Sequence, residues 1–297
     1  VVNNLDFVIN DNEIFGIAGE SGCGKTTTAL SICHLLPKEG KVESGQILME
    51  GIDYGTLSEE EIMKHRWEDV SIIFQGAMNA FNPVKKVGWQ IAEACILHQG
   101  MSKEEAWKRA GDLFEMVGIA RERVSQYPHE FSGGMKQRAM IAMALACSPK
   151  LIIGDEPTTA LDVMIQAQIL ELLEKLRKEL NMGMILITHD LSILSETCDK
   201  IAVMYAGKIA EMGTVDDIFN HPMHPYTQAL LSAVPVPDPD VKMKRIILEG
   251  DIPSPANPPS GCKFHTRCKS CMEICKKEQP ALCEYEPGHF VACHLYG

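Results

Sequence analysis

Short apolar runs bounded by glycine or polar residues recur along the chain, at 14–18 (Ile14-Phe15-Gly16-Ile17-Ala18), 70–74, 151–153, 184–187 and 201–205. Runs of this length predict buried strands, and helix-compatible stretches separate several of them, which predicts a largely parallel α/β sheet. The first run ends at a glycine-rich loop followed by a helix-compatible stretch at 26–36, giving a strand, loop and helix in succession. Between about 85 and 148 the apolar period becomes helical: Ala106, Ala110, Leu113, Phe114 and Val117 fall on one face, Ser102 and Glu105 form a capping-box pair, and Gly118 supplies a stop. This region reads as an inserted helical subdomain. Leu5-Asp6-Phe7-Val8-Ile9 alternates like a further strand, with Phe7 expected in the core. Seven prolines between 234 and 259, at 235, 237, 239, 253, 255, 258 and 259, suit neither a long helix nor a central strand. A domain boundary is therefore expected there, with residues 1–233 on one side and 234–297 on the other; no internal repeat is evident.

Composition narrows the class. With 297 residues and 45% hydrophobic content the chain can bury a full core. Its longest apolar run, 139–147, is far shorter than the roughly 20 residues of a membrane span, and no basic segment with a cleavage site opens the chain, so a soluble, non-secreted protein is expected. A formal net charge of −12 argues against nucleic acid as the main partner, since phosphate backbones are gripped by clustered Lys and Arg. Eleven cysteines are unevenly distributed: Cys23, Cys33, Cys95, Cys147 and Cys198 are scattered, while six crowd into 262–293. In a reducing compartment such crowding favours metal binding over disulfides.

The candidate chemistry centres on phosphate. In Gly19-Glu20-Ser21-Gly22-Cys23-Gly24-Lys25-Thr26, followed by Thr27, the glycines let backbone N–H groups close on phosphates. Lys25 reaches the β and γ oxygens, and the Thr26 hydroxyl is suited to Mg²⁺. Asp155 ends an apolar strand, where a carboxylate can hold the Mg²⁺ shell, and adjacent Glu156 can take a proton from an attacking water. His189 follows the next apolar run and is expected at the same sheet edge as Glu156. Phe131-Ser132-Gly133-Gly134-Met135 opens a helix, and its Ser-Gly-Gly turn offers a second set of backbone N–H groups for anions. Asp162 is well placed to cap the helix beginning near Val163.

In this order the motifs resemble the ATP-binding cassette (ABC) family. The resemblance implies an α/β P-loop ATPase in which Ser132, Gly133, Gly134 and Met135 of one subunit cover the ATP held by another, so that hydrolysis requires a dimer. It makes Glu156 the catalytic base and His189 the switch histidine on the γ phosphate. Gln75, after the 70–74 strand, then contacts Mg²⁺ and water, in a loop that meets the membrane subunit. Thr159-Ala160-Leu161-Asp162 matches the family's dimer-contact loop, with Thr where Ser is commoner, and Met135 stands where glutamine is usual. An aromatic residue that stacks on adenine normally precedes the first strand; here that position is missing, and the chain begins at Val1 without an initiating Met, as a truncated chain would.

His221-Pro222-Met223-His224-Pro225-Tyr226-Thr227, the proline-rich stretch and the cysteine-rich tail resemble the ATPase subunits of dipeptide and oligopeptide importers. The resemblance then covers essentially the whole chain. It carries the ligands of a [4Fe–4S] cluster onto Cys262, Cys268, Cys275 and Cys293, leaving Cys271 and Cys283 as extras. Four thiolates also suit tetrahedral zinc. His265, His289 and His294 are expected at the surface or behind the ligands. The implied partners are a second, paralogous ATPase subunit, two transmembrane permease subunits and, indirectly, an extracytoplasmic peptide-binding protein, with the chain on the cytoplasmic face of the membrane. A nickel importer ATPase and a soluble ABC ATPase of iron–sulfur assembly remain alternatives.

Overall fold

A computed structural model of the chain describes residues 1–76, 80–234, 245–255 and 257–297. Part of the proline-rich stretch where a domain boundary is expected, Pro235, Pro237 and Pro239 included, lies outside the described residues. The chain divides into two compact units, one comprising Val1–Val8, Ile14–Thr28 and Leu186–Gly297, the other Ile9–Glu13 and Ala29–Ile185.

In the first unit the strand Ile14–Ala18, buried throughout, runs parallel to Lys200–Tyr205, with Gly16 opposite Ile201. Ala206 and Gly207 both take left-handed backbone angles (φ 44° and 80°), which suits a two-residue hairpin turn. The chain thereby returns antiparallel as Lys208–Thr214. Two strands of the cysteine-rich tail, Cys283–Glu286 and His289–Val291, continue this ladder, with Phe290 opposite Met212. Between them come the helices Leu191–Thr197, Val215–Asn220 and Pro225–Leu231.

In the second unit Val70–Ile73 runs parallel to Leu151–Asp155. Where sequence periodicity predicts helix, the helices Val87–Gln99, Lys103–Met116 and Gly133–Ala144 are found. The capping box at Ser102 forms as expected: the Glu105 N–H donates to Ser102 Oγ at 3.3 Å and the Ser102 N–H to Glu105 Oε2 at 3.0 Å. Gly118, at φ 74°, follows the helix end, while Phe114 meets Phe131 edge-on at 6.0 Å between ring centroids.

Two sequence expectations need correction. Residues 5–9 keep their alternation of half-buried and exposed positions but form no strand among the described residues. Asn4, at φ 51°, breaks the extended run just before them, and a turn at Asn10, whose N–H and amide nitrogen both donate to Glu13 Oε2, closes it after them. Phe7 lies half-buried, stacked on Phe15 at 5.0 Å. The first helix is Lys25–Ile32, shorter than the 26–36 stretch, because His34 turns into the left-handed region at φ 51°.

Candidate nucleotide site

The phosphate loop lies in the first unit. Gly19, Gly22 and Gly24 all have positive φ (148°, 81° and 109°), and a Cβ on Gly19 would stand 2.3 Å from the Met204 carbonyl oxygen. Only glycine serves at that position. Lys25 is buried, and its Nζ donates to the Gly19 carbonyl at 2.6 Å and the Glu20 carbonyl at 3.2 Å, so the loop wraps around its own ammonium. The first N–H groups of Lys25–Ile32 have no acceptor one turn back within the helix, and they open onto the same loop. Thr26 is exposed, whereas Thr28 turns its hydroxyl back onto the Gly24 carbonyl at 3.0 Å. Burial raises the Cys23 thiol, with the Lys25 charge pulling the other way, so this side chain packs as a neutral group. Together these features make an anion cradle with one fixed positive charge.

The loop is braced by residues that motif reading did not find. The Glu20 N–H donates to the Tyr226 hydroxyl at 3.0 Å, and Arg267 donates to both oxygens of the Glu20 carboxylate at 2.6 and 3.2 Å. The His-Pro-Tyr segment is itself anchored: fully buried Glu211 accepts from the N–H groups of Met223 (2.7 Å) and His224 (2.9 Å) and pairs with His289 Nε2 at 2.8 Å. His289 is therefore buried, not at the surface. Glu211 has a hydrophobic sequence neighbourhood, and its partners are distant in sequence, which hid the cluster. His224 accepts from the Tyr226 N–H through Nδ1 at 3.0 Å, and burial holds its pKa down at about 4, so the ring is neutral. His189, also in this unit, is exposed in the turn between Gly183–Ile187 and Leu191–Thr197.

The second unit gathers the acidic residues. Asp155 is buried at the end of its strand, and the chain turns at Glu156 with φ 49°, a left-handed conformation uncommon outside glycine and asparagine. Gln75 Nε2 donates to Glu156 Oε2 at 2.9 Å, and the Thr159 hydroxyl donates to the same oxygen at 2.9 Å. Gln75 and Thr159 thus meet at the Glu156 carboxylate, next in the chain to Asp155. Ser132 caps Gly133–Ala144, its Oγ accepting from the Met135 N–H at 3.4 Å, and a Cβ on Gly134 would meet Ile165 at 3.0 Å. Asp162 caps Val163–Leu180 by accepting from the Ile165 N–H at 3.0 Å.

In the tail, Cys262, Cys268, Cys275 and Cys293 line one small cavity. Burial, reinforced by the neighbouring thiols, pushes Cys262 up to about 11 and raises Cys268 and Cys293 as well. Cys271 and Cys283 lie outside the cavity lining, and Cys283 is exposed. Among the described residues, no group of three or more His, Cys, Asp or Glu side chains stands close enough to grip a single metal ion. This arrangement therefore supports neither zinc nor an iron–sulfur cluster.

Residues 2–159 match the sequence profile of the ABC transporter family, and residues 210–275 match that of the oligopeptide/dipeptide transporter C-terminal region. Over 99% of this chain, the sequence is 46% identical to the oligopeptide transport ATP-binding protein AppD of Bacillus subtilis, covering 90% of that protein. It is 45% identical to the probable peptide ABC transporter ATP-binding protein y4tR of Sinorhizobium fredii, covering 98% of this chain and 88% of the relative. Among solved structures, the ATP-binding cassette MJ0796, a dimer bound to ADP and Pi in a post-hydrolysis state, superposes with a TM-score of 0.63 at 28% identity, over 72% of this chain and 90% of that one. The cbiO1 subunit of Clostridium perfringens gives a TM-score of 0.65 at 28% identity, over 74% and 84% of the two chains.

Proposed function

The chain belongs to the ABC transporter family of ATPases, and from that premise we propose that it is the ATP-hydrolysing subunit of an importer for dipeptides or oligopeptides. The match of its 210–275 segment to the oligopeptide/dipeptide transporter C-terminal region carries the substrate class. The names of relatives that share almost the full chain support it.

In this reading the N–H groups of residues 19–27 and the Lys25 ammonium bind the triphosphate. Glu156, oriented by Gln75 and Thr159, takes the proton of the attacking water. A strand-end carboxylate at Asp155 and an exposed hydroxyl at Thr26 are the hard oxygen donors Mg²⁺ requires, and with Gln75 they would hold it. When bound, the ion neutralises charge on the phosphates. His189 contacts the γ phosphate. Ser132, Gly133, Gly134 and Met135 close over the nucleotide of a second ATPase subunit, a paralogue, with Asp162 at the dimer contact.

Closure and reopening of this dimer drive two transmembrane permease subunits through the loop after Gln75 and the helical region 85–148, and an extracytoplasmic binding protein delivers the peptide. Among the described residues, no helix is long and apolar enough to cross a membrane, which suits a subunit docked on the cytoplasmic face. We assign residues 1–233 to the ATPase domain and 234–297 to the linker and extension.

We also propose, as the resemblance implies, that Cys262, Cys268, Cys275 and Cys293 hold a [4Fe–4S] cluster, with zinc as the alternative. Thiolates around one zinc ion stand about 3.8 Å apart, the edge of a tetrahedron of roughly 2.3 Å bonds. Four irons and their sulfides hold theirs farther apart, so the sulfur separations in the metal-loaded protein distinguish the two. A covalent link of this kind fits a tail with few apolar residues.

Expression with candidate permease and ATPase subunits tests the reading. The chain should co-purify with integral membrane subunits and show ATP hydrolysis stimulated by peptide. A stable complex formed only with soluble scaffold proteins would instead favour the iron–sulfur assembly alternative.

A further inference from the structure

We propose that Arg267 is a positioning residue of the nucleotide site: its guanidinium neutralises and holds back the Glu20 carboxylate, so that the cysteine-rich tail sets how readily the phosphate loop accepts ATP. The proposal rests on the reading of this loop as an ATP site. Glu20 sits between Gly19 and Ser21, in a loop whose N–H groups attract anions. A carboxylate at that point repels a triphosphate and competes with it for the same donors. Arg267 meets both carboxylate oxygens, at 2.6 and 3.2 Å, and its side chain is only 7% exposed. Such a fork-to-carboxylate pair fixes direction as well as charge.

The bracing is redundant in its target and unified in its support. Tyr226 fixes the N–H of the same Glu20. The guanidinium lies 6.0 Å from the Tyr205 ring centroid, and Phe264 packs against Tyr205 at 5.1 Å and Tyr226 at 5.4 Å. One aromatic wall therefore carries both anchors. Arg267 also belongs to the tight turn that joins two cavity cysteines: the His265 N–H donates to the Cys262 carbonyl at 3.0 Å, and the Arg267 N–H donates to the Phe264 carbonyl at 3.0 Å. Cys268 follows directly. A disturbance of the cysteine cavity is thus passed to the guanidinium within a few bonds.

The test measures Mg–ATP affinity and steady-state ATP hydrolysis in the full chain and its variants. R267M keeps the aliphatic stem against Tyr205 but removes the charge. It should weaken ATP binding about tenfold or more, the effect of one uncompensated charge about 12 Å or less from an anion at an effective dielectric constant of about 20. KM should rise with kcat much less changed. R267K keeps the charge but loses the two-pronged fork, so its affinity should fall between those of the parent and R267M. In the E20Q background the R267M penalty should shrink to under about threefold, because no carboxylate is left to neutralise. Parent-like affinity in R267M, or an equal penalty in both backgrounds, overturns the proposal. If R267M is recovered unfolded, R267K in the parent and E20Q backgrounds decides: a loss of affinity that E20Q relieves supports the role of the pair, and an equal loss in both backgrounds with an intact circular dichroism spectrum refutes it. Failure of the parent chain to bind ATP would sink the ATPase reading instead.

Discussion

Replacing Glu211 by Gln should be among the most damaging near-isosteric changes in the tail-bearing unit. The Glu211 carboxylate is wholly buried and satisfies three donors: the backbone N–H groups of Met223 and His224 and the ring of His289. A buried donor stripped of its acceptor costs about 1–3 kcal/mol. An amide keeps one oxygen but turns an –NH₂ toward a donor, so at least one donor loses its acceptor and the others lose a charged one. Glu211→Gln should therefore cost about 2–4 kcal/mol, against about 5–15 kcal/mol for a typical whole domain. Urea titration gives the global figure, and amide exchange locates it. Protection at Met223 and His224 should drop by about tenfold or more, since about 1.4 kcal/mol corresponds to each factor of ten. A loss below about 0.5 kcal/mol, the scale of a neutral surface change, with exchange at both amides unaltered, would refute the argument that this carboxylate anchors the His-Pro-Tyr turn.

Glu156→Gln should bind ATP and dimerise normally while its turnover falls by about 10²–10⁴, and full turnover in a coupled phosphate-release assay would remove Glu156 from the base role. His224 has a folded-state pKa of about 4, below the usual value near 6.5, so its neutral form supports the fold. Its contribution is complete above pH 6.5 and is lost as pH falls from about 6.5 towards 4, the unfolded chain binding the extra proton. Relative to His224→Asn, which retains a capping acceptor without titrating, the parent should lose stability across that window by denaturant titration, and parallel curves would contradict this. Anaerobically purified protein should carry iron and sulfide with a visible absorbance that bleaches on reduction and disappears in Cys268→Ser; colourless protein with stoichiometric zinc would defeat the cluster assignment.

What could be read in advance was local chemistry. The glycine pattern at 19–24 encodes backbone angles that only those residues tolerate, and the Ser102–Glu105 pair encodes a helix start within four residues. Both survive because the interacting groups are sequence neighbours. The braces on the phosphate loop are different: Tyr226 and Arg267 reach Glu20 across 206 and 247 positions, and neither residue type announces a partner. His289 illustrates the same limit, since an isolated histidine in a polar tail reads as surface until the Lys208–Thr214 strand brings buried Glu211 to it. The 5–9 segment shows the converse error. Alternation alone predicts a strand, yet left-handed Asn4 and a turn at Asn10 bracket it, and ladder formation depends on a neighbour that local sequence does not specify.

Transport itself provides the most direct trial. With the chain reconstituted in vesicles alongside its permease subunits, its partner ATPase and the peptide-binding protein, labelled oligopeptide uptake should require ATP on the side bearing this subunit. The Glu156→Gln substitution should abolish uptake while ATP remains bound. Unchanged peptide accumulation in that variant would contradict the account, because hydrolysis at this chain's own acidic site would then not power the movement.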